Sequence, residues 1–356
     1  MSTPIEHRVA RNRLPVLVYV LAAGIFLMST TEFMIAGLLP EVATDLGVDI
    51  ARAGLLITAF AVGMILGPPV MALATLRLPA RATLIGALAV FAAGHVVPAI
   101  SDSFTVVIVS RVVTALTTGT FWATGAVAAA AVSGPGASAR ALAVMSGGLS
   151  LAVVAGVPLG TFAGQLTGWR GPFWMLAVLA VPAIAAVLRF TPIASGNIEA
   201  PVSVRAEVAT IRPWRVWAVL AAITLAQAGF LGAYSFISPL LTDRAGIPTT
   251  LVPLVLVGFG IGALAGTTLG GRVGDRLASS LATAAFNLGT AAGSALAATT
   301  LSTALGVTGP AVLGAAITAT ALIPIAALAA TRTRTNPDNT PARHGQHTTS
   351  ILTGAS

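Results

Sequence analysis

Between Arg276 and Arg332 stand 55 residues without a single charge, and shorter gaps of the same kind repeat along almost the whole chain. Uncharged runs of that length leave few folds open. A helix crossing about 30 Å of hydrocarbon needs about 20 mostly apolar residues. A backbone placed in lipid must also satisfy its own hydrogen bonds, which helices do within one segment. Hydrophobic residues make up 56% of the chain and charged residues 8%, with a mean hydropathy of +0.92, whereas about a quarter of a soluble domain is charged. The fold class is therefore an all-α polytopic membrane protein. The net charge of +8 and the pI near 11.6 would suggest nucleic acid in a soluble chain. Here the arginines lie between apolar segments and suit an anionic membrane leaflet instead, so the lipid bilayer is the expected partner and nucleic acid is not. There is no cysteine, which excludes disulfides and thiolate chemistry.

The charge gaps predict ten spans, near residues 14–39, 53–76, 82–100, 103–131, 141–166, 171–189, 216–241, 250–271, 279–303 and 309–331. Arg8, Arg11 and Arg13 precede the first span, which is too long for a signal-peptide core and is read as an uncleaved helix. Placing the N-terminus inside puts fifteen arginines in cytoplasmic segments and three, Arg52, Arg170 and Arg244, outside. That bias predicts an inner-membrane protein with both termini in the cytoplasm. The nineteenth arginine, Arg111, lies within the fourth span. The domains expected are a cytoplasmic N-terminus at 1–13, a six-helix bundle at 14–189 and a cytoplasmic linker at 190–215. A four-helix bundle at 216–331 and a disordered cytoplasmic tail at 332–356 follow.

Six spans, a linker and a second block suggest two parallel repeats. In the first block the second span enters the cytoplasm at "ALATLRLPAR" and four spans follow; in the second, the corresponding point is "GGRVGDR" and only two follow. Two spans are absent after Arg276. "GGRVGDR" resembles the signature that follows the second helix of each half in the major facilitator superfamily, with Gly271, Asp275 and Arg276 at its Gly, Asp and Arg. The first-half copy keeps Arg77 and Arg81 but has Leu76 in place of the Asp. "SRVVTALTTG" (Ser110–Gly119) resembles the fourth-helix motif that carries a buried Arg, and "GLSLAVVAGVPLGTFAG" (Gly148–Gly164) the fifth-helix antiporter motif. With "TTEFMIAGLLP" and "GWRGPFW", the pattern is most similar to bacterial drug/proton antiporters that include chloramphenicol-resistance exporters. The resemblance implies a major facilitator fold with a truncated four-helix second half lacking helices 9 and 10. It also implies that Leu281–Ala298 is the eleventh helix, left without a neighbour for its Gly289 and Gly293 face.

Glu32 stands eight residues before Pro40, and Arg111 eight after Ser103, so each lies about 12 Å below the outer end of its span. An intramembrane charge is costly and marks function or pairing by default. Glu32 is read as a proton-coupling acid, or as a neutral acid bonded to another helix. Arg111 is read as its partner, or as a strut on backbone carbonyls. Gly148, Gly156 and Gly160, with Pro158 beside them, continue to Gly164 as a smooth face for close packing. The resemblance adds an antiporter role for this face, and a cytoplasmic gate made of Arg77, Arg81, Gly271, Asp275 and Arg276. In the second block Gly258, Gly262, Gly266 and Gly270 read as packing residues, and Gln227, Tyr234 and Asn287 as cavity lining or as interhelical hydrogen bonds. His95 reads as a lone hydrogen-bonded residue near the outer end of its span.

No nucleophile with an adjacent base, metal cluster or phosphate loop occurs, so neither an enzyme nor a cofactor is expected. The expected activity is proton-driven efflux of small amphipathic drugs such as chloramphenicol by a monomer. The alternatives are efflux of a sugar or metabolite, and a truncated membrane protein without transport.

Overall fold

In the computed structural model, residues 13–75, 78–134, 136–192, 213–271 and 279–333 are described. Among them, helices occupy all ten predicted stretches, and no strand occurs. The first block comprises α1 (Val16–Gly37), a short outer helix α2 (Leu39–Asp45), α3 (Ile50–Thr75), α4 (Ala80–Ile100), α5 (Phe104–Ser133), α6 (Ser138–Leu151), α7 (Val157–Thr167) and α8 (Arg170–Phe190). A π-helical segment, Ala152–Gly156, joins α6 to α7 in a single crossing. The second block comprises α9 (Trp214–Tyr234), α10 (Val252–Gly271), α11 (Ser279–Thr300) and α12 (Gly309–Thr333). Eight of these crossings are long and apolar enough to span a membrane, and a further apolar helix, Thr249–Ala265, is shorter.

Local chemistry explains where the helices begin and end. Asp49 Oδ1 accepts the Arg52 backbone N–H at 2.6 Å, an N-cap that starts α3 at Ile50 rather than at the predicted 53. Gly134 and Gly168, at φ of 74° and 78°, end α5 and α7 in backbone that side chains resist. The seventh span stops at Tyr234 and not at 241. Pro239 has no N–H to offer the Ser235 carbonyl four residues back; the chain turns at Ser235 and Phe236 and resumes as a short helix at Ile237–Pro239.

The helix pairings repeat between the blocks. α1 packs against α8 and against α6, the π segment and α7; α9 packs in the same way against α11 and α12. The last two helices of the second block therefore hold the places of the fifth and sixth crossings of the first. In the first block α3 and α4 both pack on α5, and the described second block has no counterpart of α4 or α5. α10 leans on α6, the π segment and α7 across the molecule and meets its own block through Phe259.

Two seams join the blocks, α3 with α11 and α10 with the π segment and α7. Their hydrogen bonds lie toward the end that the arginine bias assigns to the outside. Ser294 Oγ donates to the Gly54 carbonyl at 3.4 Å, and Gln165 Nε2 to the Thr249 carbonyl at 2.6 Å. The ring of Phe236 lies over Gly54, where a Cβ would come within 2.7 Å of it.

Candidate functional site

α1 is the central helix of the first block, with two thirds of its apolar window (67%) buried against 17% for the peripheral α12. It carries Glu32, itself 8% exposed. Arg111 reaches α1 from α5 and is 1% exposed. Its Nη1 donates to the Thr31 carbonyl at 3.1 Å and to Thr31 Oγ1 at 3.0 Å. Its Cζ lies 4.2 Å from the ring centroid of Phe60 on α3, a cation–π contact that partly replaces lost hydration. The contact with the Thr31 carbonyl matches the strut reading of Arg111 and places the guanidinium on the residue that precedes Glu32. Among the described residues the ion pairs are those of Arg170 with Asp45 and Asp102, and Glu32 and Arg111 form none. Arg111 Nε and Nη2 are buried without a hydrogen-bond partner, so the guanidinium keeps donors in reserve for an anion.

Thr31 has a second partner. Its Oγ1 lies 2.8 Å from His95 Nε2, and His95 Nδ1 lies 2.7 Å from the Phe91 carbonyl. A carbonyl only accepts, so Nδ1 carries the proton and Nε2 accepts from the Thr31 hydroxyl. His95 is 1% exposed, and its ring centroid lies 4.0 Å from that of Phe91 and 5.7 Å from that of Phe173. Thr31, His95 and Arg111 form one buried chain of hydrogen bonds beside Glu32. The sequence reading of His95 as a hydrogen-bonded residue agrees with these contacts, but its membership of a chain with Thr31 and Arg111 was not legible there.

Four glycines of the fifth crossing face α1 or its C-cap Leu38, while a Cβ on Gly147 would meet nothing within 4 Å. A Cβ on Gly148 would strike the Ala22 carbonyl, on Gly156 Thr30, on Gly160 Met34 and on Gly164 Leu38. Pro158 follows the π segment directly, where an extra residue per turn accommodates the carbonyl that proline leaves free. In α10 two of the expected packing glycines are corrected. A Cβ on Gly258 or Gly262 would meet nothing within 4 Å, whereas Gly260 lies against Val153 and Val154. The α10 register turns that glycine, rather than its neighbours two residues away, onto the π segment.

Of the second-block polar residues, Gln227 donates to Thr290 Oγ1 at 3.4 Å between α9 and α11, and Asn287 is 1% exposed in α11. Tyr234 is 4% exposed. Its ring centroid lies 6.4 Å from that of Phe33, the residue after Glu32, and 5.7 and 4.8 Å from those of Phe230 and Phe259. The aromatic group brings α9 and α10 to Phe33 of α1. A groove of about 390 Å³ lies elsewhere, between α4 and α5, lined by residues that include Gly94, Val106 and Ser110. Among the expected gate residues, Arg81 Nη2 donates to the Leu188 carbonyl at 2.5 Å, tying α4 to α8 within the first block. Gly271 ends α10, while Arg77, Asp275 and Arg276 lie outside the described residues.

Parallel helical blocks of membrane-spanning length, with an acid and a guanidinium buried among them, define a polytopic membrane protein. The sequence description of the Major Facilitator Superfamily matches residues 21–280. The chain belongs to that superfamily. The match stops at the start of α11, where two spans are missing from the repeat pattern. The chain is 39% identical over 265 residues to a chloramphenicol resistance protein of Streptomyces lividans, covering 74% of this chain and 68% of that one. It is 37% identical over 256 residues to the inner membrane transport protein YdhP of Escherichia coli K12, covering 72% and 65%. It thus spans about two thirds of the length of these relatives. Two solved structures share the fold. One is a bacterial homologue of the human lysosomal transporter Spinster, inward-facing and occupied, with a TM-score of 0.62, 15% identity and coverage of 85% of this chain and 78% of that one. The other is a peptide transporter, with a TM-score of 0.60, 13% identity and coverage of 87% and 93%.

Proposed function

We propose that this chain is a monomeric, proton-coupled exporter of small amphipathic compounds such as chloramphenicol, seated in the inner membrane with both termini in the cytoplasm. One observation carries the reading: a carboxyl group and a guanidinium are buried in the same membrane-spanning bundle, the guanidinium bonded to Thr31, the residue before the acid. A guanidinium does not give up its proton, so Glu32 is the member of the pair that can load and unload one. Inward proton flow through Glu32 would drive drug outward, with the blocks rocking about the centre. The outer-end bonds of Ser294 and Gln165 across the seams suit a state closed to the outside. The Streptomyces relative supports the drug class.

Proteoliposomes holding purified chain and given a proton gradient test the reading. Drug should move against its own gradient in the parent. In Glu32→Gln the coupled rate should fall at least about tenfold while the protein stays folded, because Gln keeps shape and hydrogen bonding but cannot titrate. Parental rate and pH dependence in Glu32→Gln would exclude the acid as carrier.

A second reading is that the chain inserts but does not transport. The end of the family match at residue 280 and the lack of a described second-block counterpart of α5 favour it. The parent arm of the same experiment separates the two.

A further inference from the structure

His95 is a buried titratable group that the proton-coupling reading leaves without a task, and its geometry gives it one. We propose that His95, acting through the Thr31 hydroxyl, holds Arg111 away from Glu32 and so decides when Glu32 can take up a proton. The inference rests on the reading of Glu32 as proton carrier.

The argument runs through a single oxygen. The Phe91 carbonyl fixes the His95 Nδ1 proton, leaving Nε2 as an acceptor for the Thr31 hydroxyl proton. With its hydrogen directed at His95, Thr31 Oγ1 presents its lone pairs to Arg111 Nη1. The histidine therefore orients the hydroxyl that anchors the guanidinium. Removing the hydroxyl leaves Nη1 with the Thr31 carbonyl alone, and Nε and Nη2 already lack partners. The nearest anion is then the carboxylate of the next residue, and an opposite charge favours the ionised form of an acid. While His95 holds the hydroxyl, Arg111 stays anchored through Nη1 on Thr31 and unpaired with Glu32, which is free to be protonated. A movement of α1 against α4 that parts Thr31 from His95 would release Arg111 to Glu32 and expel the proton.

Charged or titratable groups facing this chain are few. α5 contributes Arg111 and α1 contributes Glu32. α3 and α8 contribute the uncharged rings of Phe60 and Phe173. Arg170, at the outer end of α8, is engaged with Asp45 and Asp102. His95 is a positioning residue, since it touches neither proton carrier nor drug.

Two measurements on the purified full chain in lipid nanodiscs test this without requiring transport. Nitrogen NMR of labelled histidine, with His95 assigned from His95→Asn, should show a neutral ring protonated at Nδ1 between about pH 5 and 8, and Thr31→Val should move the Nε2 resonance. Infrared spectra report the protonated carboxyl of Glu32 as a band missing in Glu32→Gln. In Thr31→Val and His95→Phe that band should appear only at a pH about one unit more acid, a tenfold rise in proton concentration. Thr31→Ser, which restores the hydroxyl, should match the parent. Thr31→Val is nearly isosteric, so the test survives if His95→Phe fails to fold. A His95 ring protonated at Nε2, or a Glu32 band appearing at the parental pH in Thr31→Val, would overturn the proposal. A shifted band in a chain that moves no drug would uphold the network and sink the export reading instead.

Discussion

Arg170 shows at the scale of one residue how the outer ends of the first block are held. It pairs with Asp45 at the end of α2 and with Asp102 before α5 and donates to the Ser101 carbonyl at 3.2 Å, while the Trp169 indole donates to Asp45 at 2.9 Å. The Trp169 hydrogen bond first, and Arg170 after it, hold the Asp45 carboxyl below the usual carboxylate range. A depressed acid contributes stability above its unfolded value of 3.8 and loses it as pH falls through the lower folded value. Asp45 is 45% exposed, so the contribution is discounted to about 0–1 kcal/mol. Asp45→Ala should lower Tm by a few degrees at pH 7, and the gap to the parent should narrow as the pH falls below about 4; thermal unfolding in detergent at both values checks it. A gap that widens in acid would refute the sign. Legibility differed between residues here. Glu32 and Arg111 stood out in the sequence because a charge inside an apolar run is rare. His95 did not, because its partner Thr31 lies 64 residues away and no spacing announces it.

The fifth crossing shows what a small-residue stripe does at the scale of an element. The four-residue period was legible, as was the proline, but periodicity cannot say which neighbour the smooth face meets. The structure gives α1 along the whole face, so the stripe lets the helix carrying Glu32 approach closely. Substitutions should grade accordingly. Gly148→Ala aims a methyl at the Ala22 carbonyl, a backbone atom that cannot step aside, whereas at Gly160 the nearest atoms are Met34 side-chain atoms at 3.4 Å. Overpacking costs about 1–3 kcal/mol, so Gly148→Ala should lower the Tm of the purified protein clearly and Gly160→Ala hardly at all. Equal effects would mean that the stripe does not pack as described.

At the scale of the whole molecule, the second block is rebuilt around its gap. The Gly289 and Gly293 face of α11, expected to stand open, is covered by α9: Gly289 lies against the Thr224 carbonyl and Gly293 against the Ala228 carbonyl. On its other side, α9 sets Gly229 against Gly314 and Thr318 of α12. Glycine lets α9 nest between both helices, which is how these three helices hold together. The chain has no native cysteine, so Gln165→Cys with Thr249→Cys should give a clean cross-link in membranes across the α7 and α10 seam; its absence under every transport condition would contradict that seam. On the second reading, in which the chain inserts without transporting, this chain alone gives no drug resistance and insertion of two helices of family-like sequence after Arg276 restores it, since a four-helix block cannot reproduce the rocking surface of six. Full efflux by the uninserted chain in liposomes would show the missing wall to be dispensable.

The sequence by itself determined the membrane class, the ten helical stretches, the family and the place of the gap. Hydropathy, arginine bias and repeat order are carried by neighbouring residues, and a bilayer reads them segment by segment. Helix ends were less legible where a cap or a proline acted, as at Asp49 and Pro239. Only the tertiary structure decided that Arg111 reaches Thr31 across 80 residues, that His95 completes the chain, and that α11 lies against α3 and α9. Those pairings depend on which faces of separately inserted helices fit together, and in lipid, where apolar surface contacts apolar solvent on every side, close packing and a few buried hydrogen bonds make that choice.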